Sequence, residues 1–372
     1  MAAIGGFIGM GKNCGGYVLE MSKGMMLRSG GCRGAYINGA MGIFYGGDGW
    51  NMPHLEERDG KNICIVADGA PSFDGLPFND PWSFFISLYN GDGQKLSGEL
   101  CGEYAVALLD EGRGELLLLR DGRCSKPLFY MSVGEGTAFA SEIKGLMRLC
   151  CEGMIVDAQT LRAHIFDLTD TGASDIYTRI CEVPSGGGCL CTAFGAEPFY
   201  GHAEVETEDY YNRVMEESFI CPDGRTLREM LRNILFAFDY PCFDPYMPSF
   251  IERLRELRTI KEKSFLALED SSLCMSLNYS EIRRDRLSSL LGLSVKCVPP
   301  KRSRVSEREL RRMEGILWGI LFDTCGDTLT AVFGKDFEER LRREKNTVRR
   351  IRMLGMLCQT VDWLECYNII LK

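Results

Sequence analysis

Histidine is scarce in this 372-residue chain: only His54, His164 and His202 occur, and no cysteine spacing repeats around them in a metal-ligand pattern. A zinc site built from paired Cys and His ligands is therefore not expected, nor a site for any other metal. No apolar run reaches the roughly 18–20 residues that span a bilayer, and no basic stretch leads into an apolar core at the start. Positive charge is in deficit as well, with 43 Lys plus Arg against 52 Asp plus Glu and a formal charge of −9. Such a chain has no general attraction for phosphate backbones or anionic membranes. These absences set aside nucleic-acid and membrane partners and lead to the expectation of a soluble, cytoplasmic protein.

What is present suffices for a packed interior. Apolar residues make up 45% of the chain, and its 42 glycines follow no collagen-like period. The 17 cysteines are scattered, with close pairs at Cys150-Cys151 and Cys189/Cys191, and read as small core hydrophobes in a reducing compartment. The length suits about two or three domains.

Up to about Tyr200 the chain is a series of short strand candidates punctuated by glycine. Ile63–Val66, Tyr104–Leu109 and Glu115–Arg120 are compact apolar runs, and Asp110–Gly114 joins the last two as a hairpin. Helices are expected at Trp82–Asn90 and at Ser141–Leu149, the latter capped by Ser141 with Glu142 and Lys144 solvated. This half is α+β. Beyond it the period changes to three and four. Leu227, Met230, Leu231, Ile234 and Leu235 make one helical stripe, Leu310, Met313, Ile316, Leu317 and Ile320 a second, and Val348 to Leu364 a third. Pro241, Pro245 and Pro248 interrupt the first of these helices. The expected division is 1–205 and 206–372.

The block from Leu96 to Leu149 carries the most specific text: Leu100-Cys-Gly-Glu-Tyr-Ala-Val-Ala-Leu-Leu-Asp110, Arg120-Asp121-Gly122, Lys126-Pro-Leu-Phe-Tyr130 and Phe139-Ala-Ser-Glu-Ile-Lys-Gly-Leu146. In that order these resemble the glutaminase domain of glutamine-hydrolysing asparagine synthetases, a class II glutamine amidotransferase of the N-terminal-nucleophile hydrolase fold. The resemblance covers about residues 1–200. It implies an αββα sandwich in which an amino-terminal cysteine attacks the glutamine carboxamide and its own α-amine handles the proton. In the family, ammonia then passes to an ATP-pyrophosphatase-like domain.

The residues expected to do this work are altered. Gly5-Gly-Phe-Ile-Gly9 resembles the family's Cys-Gly-x-x-Gly start, which puts Gly5 at the nucleophile position, while removal of Met1 would expose Ala2. Cys14 is the one nearby thiol that could substitute, although it reads first as an ordinary buried cysteine. The family's Asn-Gly oxyanion pair corresponds to Asp68-Gly69, and an ionised carboxylate repels an oxyanion; a plain turn is the expected role. Arg28 and Arg33 stand in the region that grips glutamine in the family, and either could retain an anion contact. Arg120 and Asp121 are preserved in kind and read either as ties across a turn or as ligand contacts.

No Ser-Gly-Gly-x-Asp-Ser phosphate loop follows the Leu227–Leu235 helix; the chain continues Phe236-Ala-Phe-Asp-Tyr-Pro-Cys-Phe-Asp244 instead. Ser185-Gly-Gly-Gly188 fits a turn better than a phosphate nest. No ATP site is recognised, and ATP and magnesium enter only if the chain proves to be a synthetase. Asp239 with Asp244, or Glu269 with Asp270, read as solvated turns rather than a metal pair, and the basic runs at Arg283–Arg286 and Pro299–Arg304 as exposed linkers.

The leading expectation is a catalytically inactive asparagine-synthetase-like protein with a shortened, mainly helical C-terminal region, acting as a binding, regulatory or assembly module through a second copy or another protein. The alternatives are a divergent amidotransferase that releases ammonia from glutamine, and a sensor that holds a glutamine-like small molecule without hydrolysing it.

Overall fold

The computed structural model describes residues 2–10, 14–29, 32–47, 53–73, 81–89, 93–122, 126–167, 173–201, 221–245, 247–248, 251, 306–324 and 326–372. The chain forms two units. One comprises Met1–Glu152 and Arg179–Thr207, and the other contains Gly153–Thr178 with the described residues from Cys221 onward. Gly153–Thr178, placed in the first domain by the sequence reading, is thus part of the second unit.

The first unit is built on two antiparallel six-stranded sheets. The first sheet runs in the order β11 (Cys181–Glu182), β8 (Phe129–Ser132), β9 (Gly136–Ala140), β1 (Ala3–Gly9), β3 (Met41–Gly46) and β2 (Gly34–Asn38). The second runs β13 (Gly195–Phe199), β12 (Gly188–Thr192), β7 (Glu115–Arg120), β6 (Leu100–Asp110), β5 (Lys61–Phe73) and β4 (His54–Arg58). Successive side chains alternate between faces, and the sequence exploits this on both sides of the second sheet. Cys64, Val66, Ala107, Leu109, Leu116 and Leu118 meet Ile4, Ile8, Ile43 and Phe139 of the first sheet in one core. Ile63, Ile65, Val106, Leu108, Leu117 and Leu119 turn the other way and pack under Trp82, Phe85 and Ile86 of α3 (Pro81–Leu88) and Leu96 of α4 (Gly93–Glu99). Each fully buried Val, Leu, Ile or Phe among them contributes about 1.5–3 kcal/mol.

The outer face of the first sheet is covered by α1 (Cys14–Gly24) and α5 (Ile143–Met147). The layers are therefore α, β, β, α, as the resemblance implied. β1 admits this packing because it is rich in glycine: a Cβ at Gly6 would lie 2.5 Å from the Gly42 carbonyl oxygen. Two local expectations need correction. Ser141 does not cap α5, whose N-cap is Glu142 without a side-chain cap bond. Ser141 instead accepts from the Ile4 N–H (3.0 Å) and donates to the Ile4 carbonyl (3.3 Å), which ties the end of β9 to β1. Glu142 and Lys144 are not solvated but form a buried ion pair at 3.1 Å.

In the second unit β10 (Met154–Val156) pairs in parallel with β14 (Ile369–Leu371). Its helices are α6 (Ala158–Arg162), which runs into a π-helical turn at Ala163–Asp167, α7 (Ala173–Ile176), α8 (Gly224–Phe238), α9 (Glu307–Thr324), α10 (Gly326–Phe333), α11 (Phe337–Arg343) and α12 (Thr347–Cys366). The three stripes read from the sequence lie on α8, α9 and α12, and most of their residues are buried. α12 goes further than a stripe, being buried all round from Ile351 to Val361. α8 ends on Asp239 in the left-handed region (φ 64°), just ahead of Pro241.

Asp239 and Asp244 are buried, contrary to the expectation of solvated turns. The Asp239 carbonyl accepts from the Tyr177 hydroxyl and from Trp363 Nε1 (3.0 Å), and its carboxylate accepts from the Tyr367 hydroxyl (3.2 Å). It serves as a polar knot in the helical core. Glu269, Asp270, His202 and the two basic runs lie outside the described residues. No helix among the described residues is long and apolar enough to cross a membrane, and none of their His, Cys, Asp and Glu side chains form a group of three able to hold a metal ion.

Candidate functional site

The strand register gathers polar groups at one end of the inter-sheet core. Asp68 on β5, Ala105 on β6 and Arg120 on β7 stand in one cross-strand row on the inner face of the second sheet. Facing that row, β1 begins at Ala3, with Ala2 ahead of it. A short helix, α2 (Met26–Ser29), brings Arg28 in from the side.

These residues close on one another. The Ala2 N–H donates to Asp68 Oδ1 at 3.0 Å. Arg28 Nη2 donates to Asp68 Oδ2 at 2.6 Å, and Arg28 Nε to the Ala2 carbonyl at 2.7 Å. The Arg28 and Asp68 side chains are 0% and 1% exposed. Burial alone would raise the Asp68 pKa, but the charges of Arg28 and Lys126 and the hydrogen bonds from Arg28 and Ala2 outweigh it and hold the carboxyl below its ordinary range. Asp68 is therefore an ionised, fully engaged carboxylate.

Asp68-Gly69 does not form the expected turn. Both residues lie inside β5, opposite Ala105 and Tyr104, and Gly69 takes a φ of 96° within the strand. The reason is the pairing across the core: Asp68 has its partners in Arg28 and Ala2, not in its own loop.

Gly5 sits in the interior of β1, between Phe44 and Ala140. A Cβ there would lie 2.5 Å from the Phe44 ring, so the position has no room for a side-chain nucleophile. Among the described residues, the position at the head of β1 beside Arg28 and Asp68 is Ala2. Cys14 opens α1 and is fully buried, with its thiol 3.8 Å from the Phe7 carbonyl. Burial pushes that thiol up to about 12, which leaves almost no thiolate at neutral pH.

Of the two arginines expected to grip an anion, Arg28 is spent on Asp68, while Arg33 is exposed and its backbone N–H donates to the Tyr45 carbonyl (2.8 Å). Arg120 donates from Nε to the Lys126 carbonyl (2.9 Å) and from Nη1 to Glu182 (3.0 Å) and to the Val183 carbonyl (3.1 Å). Asp121 accepts from the Tyr104 N–H through its carboxylate (3.2 Å) and from the Gly186 N–H through its carbonyl (3.2 Å). Both residues thus tie neighbouring segments together. The Ser185-Gly186 turn between β11 and β12 is one of the segments so held. The sequence reading names Ala2, Lys126 and Ser141 but does not bring the first two to Asp68 or Ser141 to Ile4, because no local pattern encodes those pairings.

Chemically, the described residues bring together a charged pair and hydrogen-bonded backbone groups, and the Asp68 carboxylate holds a negative charge there. The family model for the glutamine amidotransferase domain matches residues 84–199. The matched stretch lies mostly in the N-terminal half and spans β6 to β13. Similar solved structures include the glutamine phosphoribosylpyrophosphate amidotransferase from B. subtilis complexed with ADP and GMP, at 12% identity and a TM-score of 0.39 over 62% of this chain. Another is an allosteric regulatory enzyme of purine biosynthesis, at 14% identity and a TM-score of 0.37 over 63%. This chain spans 57% of the length of each of those two. No curated protein sequence matches it.

Proposed function

We propose that this chain is a catalytically silent, asparagine-synthetase-like protein that works by binding, as a regulatory or assembly module, and does not hydrolyse glutamine. The observation that carries this reading is the closure of Ala2, Arg28 and Asp68 on one another at the head of β1, with a methyl group where a nucleophile would be needed. The burial of Cys14 supports it by removing the one substitute thiol. The test is ammonia release from glutamine by the full-length protein, with and without aspartate, ATP and magnesium, alongside Cys14→Ala. Background rates in all conditions are expected; turnover lost in Cys14→Ala would overturn the proposal.

One observation favours a second reading, a non-hydrolysing amino-acid sensor. Glu142 is buried, and among the described residues its Oε2 has no hydrogen-bond partner. A buried carboxylate oxygen without a donor is costly, and the amino group of a bound ligand would satisfy it. Saturable glutamine binding in calorimetry without ammonia release, weakened in Glu142→Gln, is the result that selects this reading.

A further inference from the structure

One face of α12 meets the chain that follows α8 turn after turn. Trp363 Nε1 donates to the Asp239 carbonyl (3.0 Å), Gln359 Oε1 accepts from the Cys242 N–H (2.8 Å), and the Phe243 ring packs on Gly355, where a Cβ would collide with it. Trp363, Gln359 and Gly355 are spaced by four and so form one row along the helix. Residues 239 to 243 therefore run antiparallel to α12. Arg352 is the next member of the row, three residues before Gly355.

Arg352 is only 5% exposed, and its Nε is closed off from water without a hydrogen-bond partner among the described residues. No carboxylate among those residues forms an ion pair with it: Asp244, which follows Phe243, is buried but does not pair with Arg352. The neighbouring arginines of the helix do have counter-ions, Arg349 in Glu344 at 3.7 Å and Arg350 in Glu314 at 2.5 Å. Arginine, unlike lysine, does not shed its proton to escape an apolar interior. A buried positive charge without a partner is strongly unfavourable, so this position calls for an anion.

From this geometry we infer that Arg352 anchors an oxyanion site in the second unit, taking the carboxylate or phosphate group of a small molecule. Nε and the adjacent Nη form a side-on fork whose two N–H groups match two oxygens of such a group. The bound anion supplies the counter-charge and satisfies Nε in one step. The site lies in the helical unit and does not depend on how the glutaminase-like sandwich is read.

Urea unfolding of the full-length protein, followed by tryptophan fluorescence, tests this. The unfolding midpoint is measured against increasing inorganic phosphate, and separately against acetate, with sodium chloride holding the ionic strength constant. A ligand that binds only the folded state raises the midpoint as its concentration passes the dissociation constant. The expected result is such a rise for the unsubstituted protein, an apparent affinity about tenfold weaker in Arg352→Lys, which keeps the charge but loses the fork, and no response in Arg352→Met. A response to phosphate alone assigns a phosphorylated ligand, and a response to both anions a carboxylate-bearing one. In chloride alone Arg352→Met is expected to be at least as stable as the unsubstituted protein, because it removes an unpaired buried charge. Absence of any anion-specific rise in the unsubstituted protein overturns the inference, as does an equal rise in Arg352→Met. If Arg352→Met is less stable in chloride or fails to fold, the guanidinium has a partner within the chain, and the inference falls as well.

Discussion

Removing the Arg28 guanidinium would leave the Asp68 carboxylate charged, buried and facing only the Ala2 N–H and the more distant Lys126. Breaking a buried pair by deleting one partner costs about 3–5 kcal/mol, because the survivor keeps its desolvation penalty. Arg28→Met is therefore expected to lower the stability of the first unit by that amount in urea unfolding, and Arg28→Met with Asp68→Leu to recover most of it. The pH dependence follows from the direction of the shift. Asp68 has a folded pKa below its unfolded value, so its contribution is present above the ordinary carboxylate range and is lost as pH falls through the folded pKa. An acid-unfolding curve of the double variant should lack that part of the loss. The carboxylate at position 68 was legible from the residue type alone. Its closure with Arg28 and Ala2 was not, because Asp68 meets partners 40 and 66 positions away in the chain, and no local pattern encodes such a pairing.

At the level of elements, periodicity carried most of the information. Glu115–Arg120 is a strand with the limits read from its apolar run, and the three helical stripes fall on α8, α9 and α12. β5 and β6 were read too short because their outer portions lack an apolar run: residues 68–72 of β5 read Asp-Gly-Ala-Pro-Ser and are held by pairing with β6. α12 was read as one stripe, yet it is buried all round from Ile351 to Val361, and its Gln359 and Thr360 find internal partners. Gln359 accepts from the Cys242 N–H (2.8 Å) and donates to the Leu231 carbonyl (2.9 Å). A helix so placed transmits any fraying of its first turn to the core. Asn346 is its N-cap and accepts from the Arg349 N–H at 3.1 Å. Asn346→Ala is expected to cost about 0.5–2 kcal/mol and Asn346→Gly only a few tenths, read by tryptophan fluorescence of the second unit, where Trp363 is buried.

For the whole molecule, the sandwich was foreseeable because the block from Leu96 to Leu149 covers β6 and β7 of one sheet and β8 and β9 of the other, whereas the division of the chain was not. A boundary near 205 follows the end of the motif text, but the packing of Gly153–Thr178 obeys other constraints. His164 hydrogen-bonds the Pro241 carbonyl (2.9 Å), Arg162 donates to the Phe333 carbonyl (2.6 Å) and to Asp336 (3.1 Å), and Met154–Val156 pair with Ile369–Leu371. Leu161, Ile165, Phe166, Ile176 and Tyr177 are all buried there. A fragment cut at residue 205 keeps these side chains and loses the residues that pair with the segment, at about 1.5–3 kcal/mol for each fully re-exposed apolar side chain. The fragment is expected to aggregate or bind a hydrophobic dye far more strongly than the full chain. A fragment that stays monomeric and dye-silent, by light scattering and fluorescence, would show that Gly153–Thr178 repacks on the sandwich, and would move the functional boundary back to where the motifs end.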